Sequence, residues 1–261
     1  MSIAPELIVY VLVVYFLAGM VKGVVGLGLP TISLALIAAV FGLKEAMVLL
    51  LVPSFVTNFW QGVTGGNLTA ILKRIWVMLA VLSATTWFAT GIMVRSDAAI
   101  LSACLGGVLI LYATIALATA QIPSPGKREI WMSPIVGFLT GISTGFTGTF
   151  VVPGVLYLQA LGLGKDGLVQ AMGICFTLAT VALGLSLGGR GFMPTGLVLL
   201  SMVSVVPAVI GMILGRKIRD KLPEAKFRRI FFVALLILGG WVLVRSLAFL
   251  PPLAANLPAS L

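Results

Sequence analysis

The chain has 261 residues, 60% hydrophobic and 9% charged, with a mean hydropathy of +1.19. Soluble domains carry about 25% charged residues, so a compact soluble fold could not hide this much apolar surface, and a bilayer is the solvent that suits it. The net charge of +10 reads as loop charge that sets orientation, which takes precedence over nucleic-acid binding.

The N-terminal stretch Met1 to Glu6 carries no basic side chain, which argues against a cleaved signal peptide. Charge and Gly/Pro punctuation then divide the chain into ten apolar segments: 5–21, 24–43, 46–62, 75–94, 98–119, 132–146, 149–163, 167–188, 195–215 and 230–249. Several are near the length that spans a bilayer as a helix. The sixth and seventh are shorter, about 15 residues or roughly 22 Å of helix. The expected fold is all-α and polytopic, built from two inverted repeats of about five segments. Each repeat opens on a Gly-rich broken or re-entrant helix pair. The expected division is an N-terminal repeat over 1–120, a linker over 121–131, an inverted C-terminal repeat over 132–249, and an extracytoplasmic tail over 250–261. An odd number of segments per repeat is what turns the second copy upside down, an arrangement recurrent among secondary transporters.

Sidedness follows from Lys and Arg. Arg216, Lys217, Arg219, Lys221, Lys226, Arg228 and Arg229 fill the ninth loop, which is expected in the cytoplasm. Alternation puts Lys22, Lys73, Arg74, Lys127, Arg128 and Lys165 on the same side, and Lys44, Arg95, Arg190 and Arg245 on the other. Both termini are then extracytoplasmic, in a multi-pass protein of the cell inner membrane.

Catalytic chemistry finds little to work with. The chain has no His, and its acids (Glu6, Glu45, Asp97, Glu129, Asp166, Asp220 and Glu224) all fall at segment ends or in loops. No carboxylate pair, zinc-ligand cluster or Ser–His arrangement is available, so an enzyme is not expected, nor is a metal or other cofactor. Cys104 and Cys175 lie in apolar segments and read as small hydrophobes.

Glycine supplies the strongest signal. One ladder reads Gly19, Gly23, Gly26, Gly28, Pro30; the other reads Gly137, Gly141, Gly145, Gly148, Pro153. The wider spacings suit close helix packing through small-xxx-small faces. The tighter stretches, Gly26 to Pro30 and Gly145 to Thr149, favour helix breaks. A break frees N–H groups at the next helix start, where the dipole favours an anion. Gly26, Gly28, Gly148 and Thr149 are therefore candidate backbone donors. Ser54, Thr57, Asn58 and Gln61 recur at i, i+3, i+4, i+7 and share one helix face. That stripe suits site lining or interhelical hydrogen bonding. Thr177 lies on a looser stripe of the corresponding segment, and Thr144 and Thr147 lie at the second break. Lys22 and Arg190 are candidate counter-charges for an anion; the competing reading is snorkelling for Lys22 and an interfacial loop charge for Arg190.

The stretches Gly19-Met20-Val21-Lys22-Gly23-Val24-Val25-Gly26-Leu27-Gly28-Leu29-Pro30 and Gly137-Phe138-Leu139-Thr140-Gly141-Ile142-Ser143-Thr144-Gly145-Phe146-Thr147-Gly148 resemble the paired glycine signatures of the TauE/SafE, or sulfite exporter, family. Leu27, Leu29, Phe150 and Lys22 depart from the family's glycine-rich pattern. The resemblance implies a secondary transporter of a small sulfur-containing anion such as sulfite, sulfoacetate or another organosulfonate. Alternating access around a midplane site at the two breaks is the expected mechanism, with Na⁺ or H⁺ as candidate coupling ions. The expected substrate-binding set is Lys22, Gly26, Gly28, Ser54, Asn58, Gln61, Thr144, Thr147, Gly148, Thr149, Thr177 and Arg190. The expected partners are the anion and the lipid bilayer, with no nucleic acid; small-residue faces permit a homodimer. An anion channel, or a scaffold that hands a sulfur species to a soluble partner, are the alternatives.

Overall fold

Residues 4–118, 123–219 and 224–248 are described by a computed structural model. The helices are α1 (Pro5–Val25), α2 (Leu29–Phe41), α3 (Leu43–Val63), α4 (Leu68–Arg95), α5 (Ala98–Ala118), α6 (Glu129–Thr147), α7 (Gly154–Ala160), α8 (Gly164–Gly189), α9 (Thr195–Val203), α10 (Val205–Arg219) and α11 (Glu224–Ala248). The described residues contain no strand. Among the described residues, eight stretches are long and apolar enough to cross a bilayer: α1, α3, α4, α5, residues 126–147, α8, residues 195–219, and residues 229–248. The expected tail over 250–261 lies outside the described residues, as do Gln121 and Ile122 of the expected linker.

The ten segments survive with four corrections. The sixth is not short: a 3-10 turn over Gly126–Arg128 leads into α6, and together they reach spanning length. Glu129 opens α6 and accepts a bidentate ion pair from Arg74 at 2.8 and 2.9 Å. Charges that punctuate the sequence are thus inside helix ends, which also carries α4 back to Leu68. The seventh segment shrinks to the seven residues of α7. The ninth is interrupted at Ser204, between α9 and α10.

Four helix pairs make the body, each joining one half of the chain to the other: α1 with α10, α6 with α4, α3 with α8, and α5 with α11. Glycine explains the first two. A Cβ on Gly19 or Gly23 would collide with the backbone carbonyl of Ala208 or Met212, and one on Gly211 or Gly215 with that of Phe16 or Met20. Gly137, Gly141 and Gly145 lie against Met78, Leu82 and Ala89 in the same way. Close approach between small residues is how helices associate where lipid offers no hydrophobic drive. The outer rungs of both ladders are therefore packing surfaces.

The pair α3 and α8 forms the centre. Gly62 meets Gly173, and Leu51 meets Gly184, so the helices run antiparallel in constant register. Pro53 lies within α3 and leaves the Leu49 carbonyl without its helical donor. Ser201 of α9 supplies one: its Oγ donates to Leu49 O at 2.7 Å and accepts from the Val52 amide at 3.2 Å.

Candidate functional site at the first helix break

Gly26 (φ 83°) ends α1 and Gly28 (φ 111°) precedes α2, with Pro30 in the first turn of α2. Both glycines hold left-handed backbone that other residues adopt at a cost. One turn before the break, Lys22 is buried to 3% exposure. Its side chain turns away from the surface toward α3, which rules out snorkelling. Nζ donates to Thr57 Oγ1 at 3.2 Å and to Asn58 Oδ1. Thr57 in turn donates to the Pro53 carbonyl at 2.7 Å. Among the described residues no carboxylate pairs with Lys22; the ion pair they contain is Arg74 with Glu129.

Two polar atoms on the same stripe are buried without a partner: Ser54 Oγ and Asn58 Nδ2. Gln61 ties the break to both halves, donating to Gly26 O at 3.2 Å and to Val169 O of α8 at 2.8 Å. Gln170 answers from α8, donating to Gly62 O at 3.0 Å and accepting from the Asn67 amide at 3.1 Å. By the α3/α8 register Thr177 lies at the level of Asn58; its hydroxyl donates to Gly173 O at 2.6 Å. The first break thus gathers Lys22, Gly26, Gly28, Ser54, Asn58 and Gln61, with Thr177 level with Asn58 on α8 and Thr57 as an added member that holds the ammonium.

The remaining expected residues lie elsewhere. Thr144, Thr147, Gly148 and Thr149 form a separate cluster at the second break. A Cβ on Gly148 would stand 3.1 Å from Leu34 of α2 and from Met47, the latter in the half of α3 before Pro53, whereas Lys22 and Gln61 engage the half after it. Among the described residues no hydrogen bond joins the two breaks. Phe150 of the second break packs its ring 5.5 Å from that of Phe176 on α8.

Three expected backbone donors are also committed. The Gly26 and Gly148 amides close α1 and α6 on Lys22 O and Thr144 O, at 2.7 and 2.8 Å, and the Thr149 amide donates to Thr147 Oγ1 at 3.3 Å. These glycines are C-caps before they are anything else.

Arg190 is about 30 Å along α8 from Val169 at 1.5 Å per residue, at the end opposite Lys22. Its guanidinium donates to Ser186 O at 2.9 Å, to Ser186 Oγ, and to Trp87 O at 3.0 Å, and stacks on the Trp87 ring. It fastens the end of α8 to α4 and, with Arg95, lines an open cleft of about 830 Å³ there.

The family model for Sulfite exporter TauE/SafE matches residues 11–242. The chain belongs to the TauE/SafE family. No curated protein and no solved structure matches it. Membership in a sulfite exporter family, with eight spanning-length apolar stretches, makes this TauE/SafE chain a multi-pass membrane protein of the transporter class. The 11–242 match takes in both breaks and all four cross-half helix pairs.

Proposed function

We propose that the protein is a secondary transporter, working as an exporter, of a small sulfur-containing anion such as sulfite, sulfoacetate or another organosulfonate. The observation that carries this reading is the buried Lys22 ammonium, held by two neutral oxygens and flanked by the unpartnered donors Ser54 Oγ and Asn58 Nδ2. Burying a charge among neutral groups costs several kcal/mol unless an opposite charge offsets it. A tetrahedral or pyramidal oxyanion supplies that charge and accepts from all three donors. The N-terminus of α2, three residues beyond Gly26, adds the positive end of its dipole.

Alternating access follows from how the halves are joined. The four main helix pairs cross between halves, and the first helix of each half packs on the third span of the other. This exchange supports the two halves as inverted repeats that rock against one another about the α3/α8 pair. The inner membrane, with both termini outside the cytoplasm, is the orientation that the basic loops favour.

The test is anion efflux from proteoliposomes loaded with sulfite, sulfoacetate or taurine. Saturable efflux with counterflow supports the transporter. Linear, non-saturating flux would replace it with a channel, and no flux without a soluble partner would replace it with a scaffold.

A further inference from the structure

The second break holds a polar cluster of the opposite chemical character. Thr140, Ser143, Thr144 and Thr147 repeat on α6 at the spacing of the α3 stripe, and face the returning chain from Thr149 to Gly154. Thr144 and Thr147 spend their hydroxyl protons on the carbonyls of Thr140 and Ser143, both at 2.7 Å. Thr149 Oγ1 lies 2.7 Å from Thr147 Oγ1 and 3.2 Å from Ser143 Oγ. Thr140 Oγ1 is buried without a partner, 3.1 Å from where a Cβ on Gly154 would stand. The carbonyls of Gly145, Phe146 and Thr147 at the end of α6 receive no backbone amide among the described residues. Thr144, Thr147 and Thr149 are at most 1% exposed.

Counting protons against lone pairs, this cluster has acceptors in excess. At the first break the Gly26 carbonyl meets the Gln61 amide, and the Lys22 ammonium stands one turn before it, donating to Thr57 and Asn58. At the second, no Lys, Arg, Asn or Gln side chain reaches the cluster among the described residues. The negative end of the α6 dipole points into it as well. Neutral hydroxyl and carbonyl oxygens at a helix C-terminus are the donor set of a small monovalent cation. A divalent ion wants carboxylates, and the described residues offer no group of three His, Cys, Asp or Glu for one.

We propose that the second break binds a small alkali cation, Na⁺, through Thr144, Thr149 and the terminal carbonyls of α6. Binding of the ion stands apart from the transport reading; its use to drive anion movement rests on that reading. The chain then carries a donor-rich site at one break and an acceptor-rich site at the other.

The experiment is thermal unfolding of the purified full-length protein in detergent, in NaCl, LiCl, KCl or choline chloride at equal ionic strength, with no sulfur anion present. A ligand that binds only the folded state raises its melting temperature. A saturable rise in NaCl, absent in choline chloride, is expected. Thr149→Val and Thr144→Val, each monodisperse on size exclusion, should need about tenfold more Na⁺ for half the shift, a loss of about 1.4 kcal/mol of binding. Thr149→Ser should restore it. Should both Val variants fail to fold, radioactive Na⁺ binding to the wild-type protein and Thr149→Ser decides. Equal melting in NaCl and choline chloride, or an unaltered Na⁺ response in the Val variants, overturns the site. A Na⁺ response in a protein that moves no sulfur anion overturns the transport reading and leaves the cation site standing.

Discussion

A lysine ammonium enclosed among apolar helices with two neutral acceptors is electrostatically incomplete. Replacing it with an apolar side chain of similar length removes a desolvation cost along with the anion's counter-charge. Lys22→Met is therefore expected to melt at or above the wild-type temperature without ligand, and to lose at least about tenfold in sulfite efflux, or 1.4 kcal/mol. A variant that melts as expected but transports normally would take Lys22 out of the site. Lys22 was visible in the sequence as a cation between two ladder glycines, but which way it pointed was not. Snorkelling and inward burial need the same residue at the same position; the Thr57 and Asn58 acceptors on another helix decide between them. Gln61 was legible as part of a polar stripe, whereas its bond to Val169, 108 residues away, depends on the α3/α8 pairing.

Among the helices, the glycines divide by what their missing Cβ does. Gly19 sits at the α1/α10 crossing, and Gly107 on α5 has nothing within 4 Å of an added Cβ. Gly19→Ala should push the crossing apart and cost about 1–3 kcal/mol. Gly107→Ala should be neutral or gain up to about 1 kcal/mol from helix propensity. Melting temperatures of the two variants should therefore move in opposite directions; equal losses would show that propensity, not contact, governs both. The four-residue spacing made the packing rungs readable in advance, and Gly26, Gly28 and Gly148 were readable as breaks from tighter spacing. What spacing could not show was that the amides of two breaking glycines are consumed in closing the helix before them. The length of α7 also escaped it, because an apolar run does not record where the backbone leaves the helix.

For the whole molecule, α8 fixes a ruler. Its 26 residues span about 39 Å, with Lys165 at one end and Arg190 at the other. With Cys104 and Cys175 replaced by Ala, single cysteines at positions 165 and 190 should react with an impermeant thiol reagent from opposite sides of the membrane, position 165 from the cytoplasm. Labelling from one side for both would exclude α8 as a span. The membrane class was legible from composition and the all-helical, many-span character from the lengths of the apolar segments, and the cross-half pairing was not, since it is carried by complementary surfaces rather than by any one motif. The aromatic contact of the second break with α8 then acquires a meaning of its own. Phe150 is fully buried, and the ring of Phe176 on which it rests belongs to the residue before Thr177. On the two proposals made above, this ring would act as insulation between two chambers of opposite polarity, the anion site and the cation site. Stripping that insulation with Phe150→Ala should short-circuit them: liposomes carrying the variant should leak ions down their gradients with no sulfur anion present, while wild-type liposomes stay tight. Tight variant liposomes would mean that the two chambers are kept apart by something other than this ring.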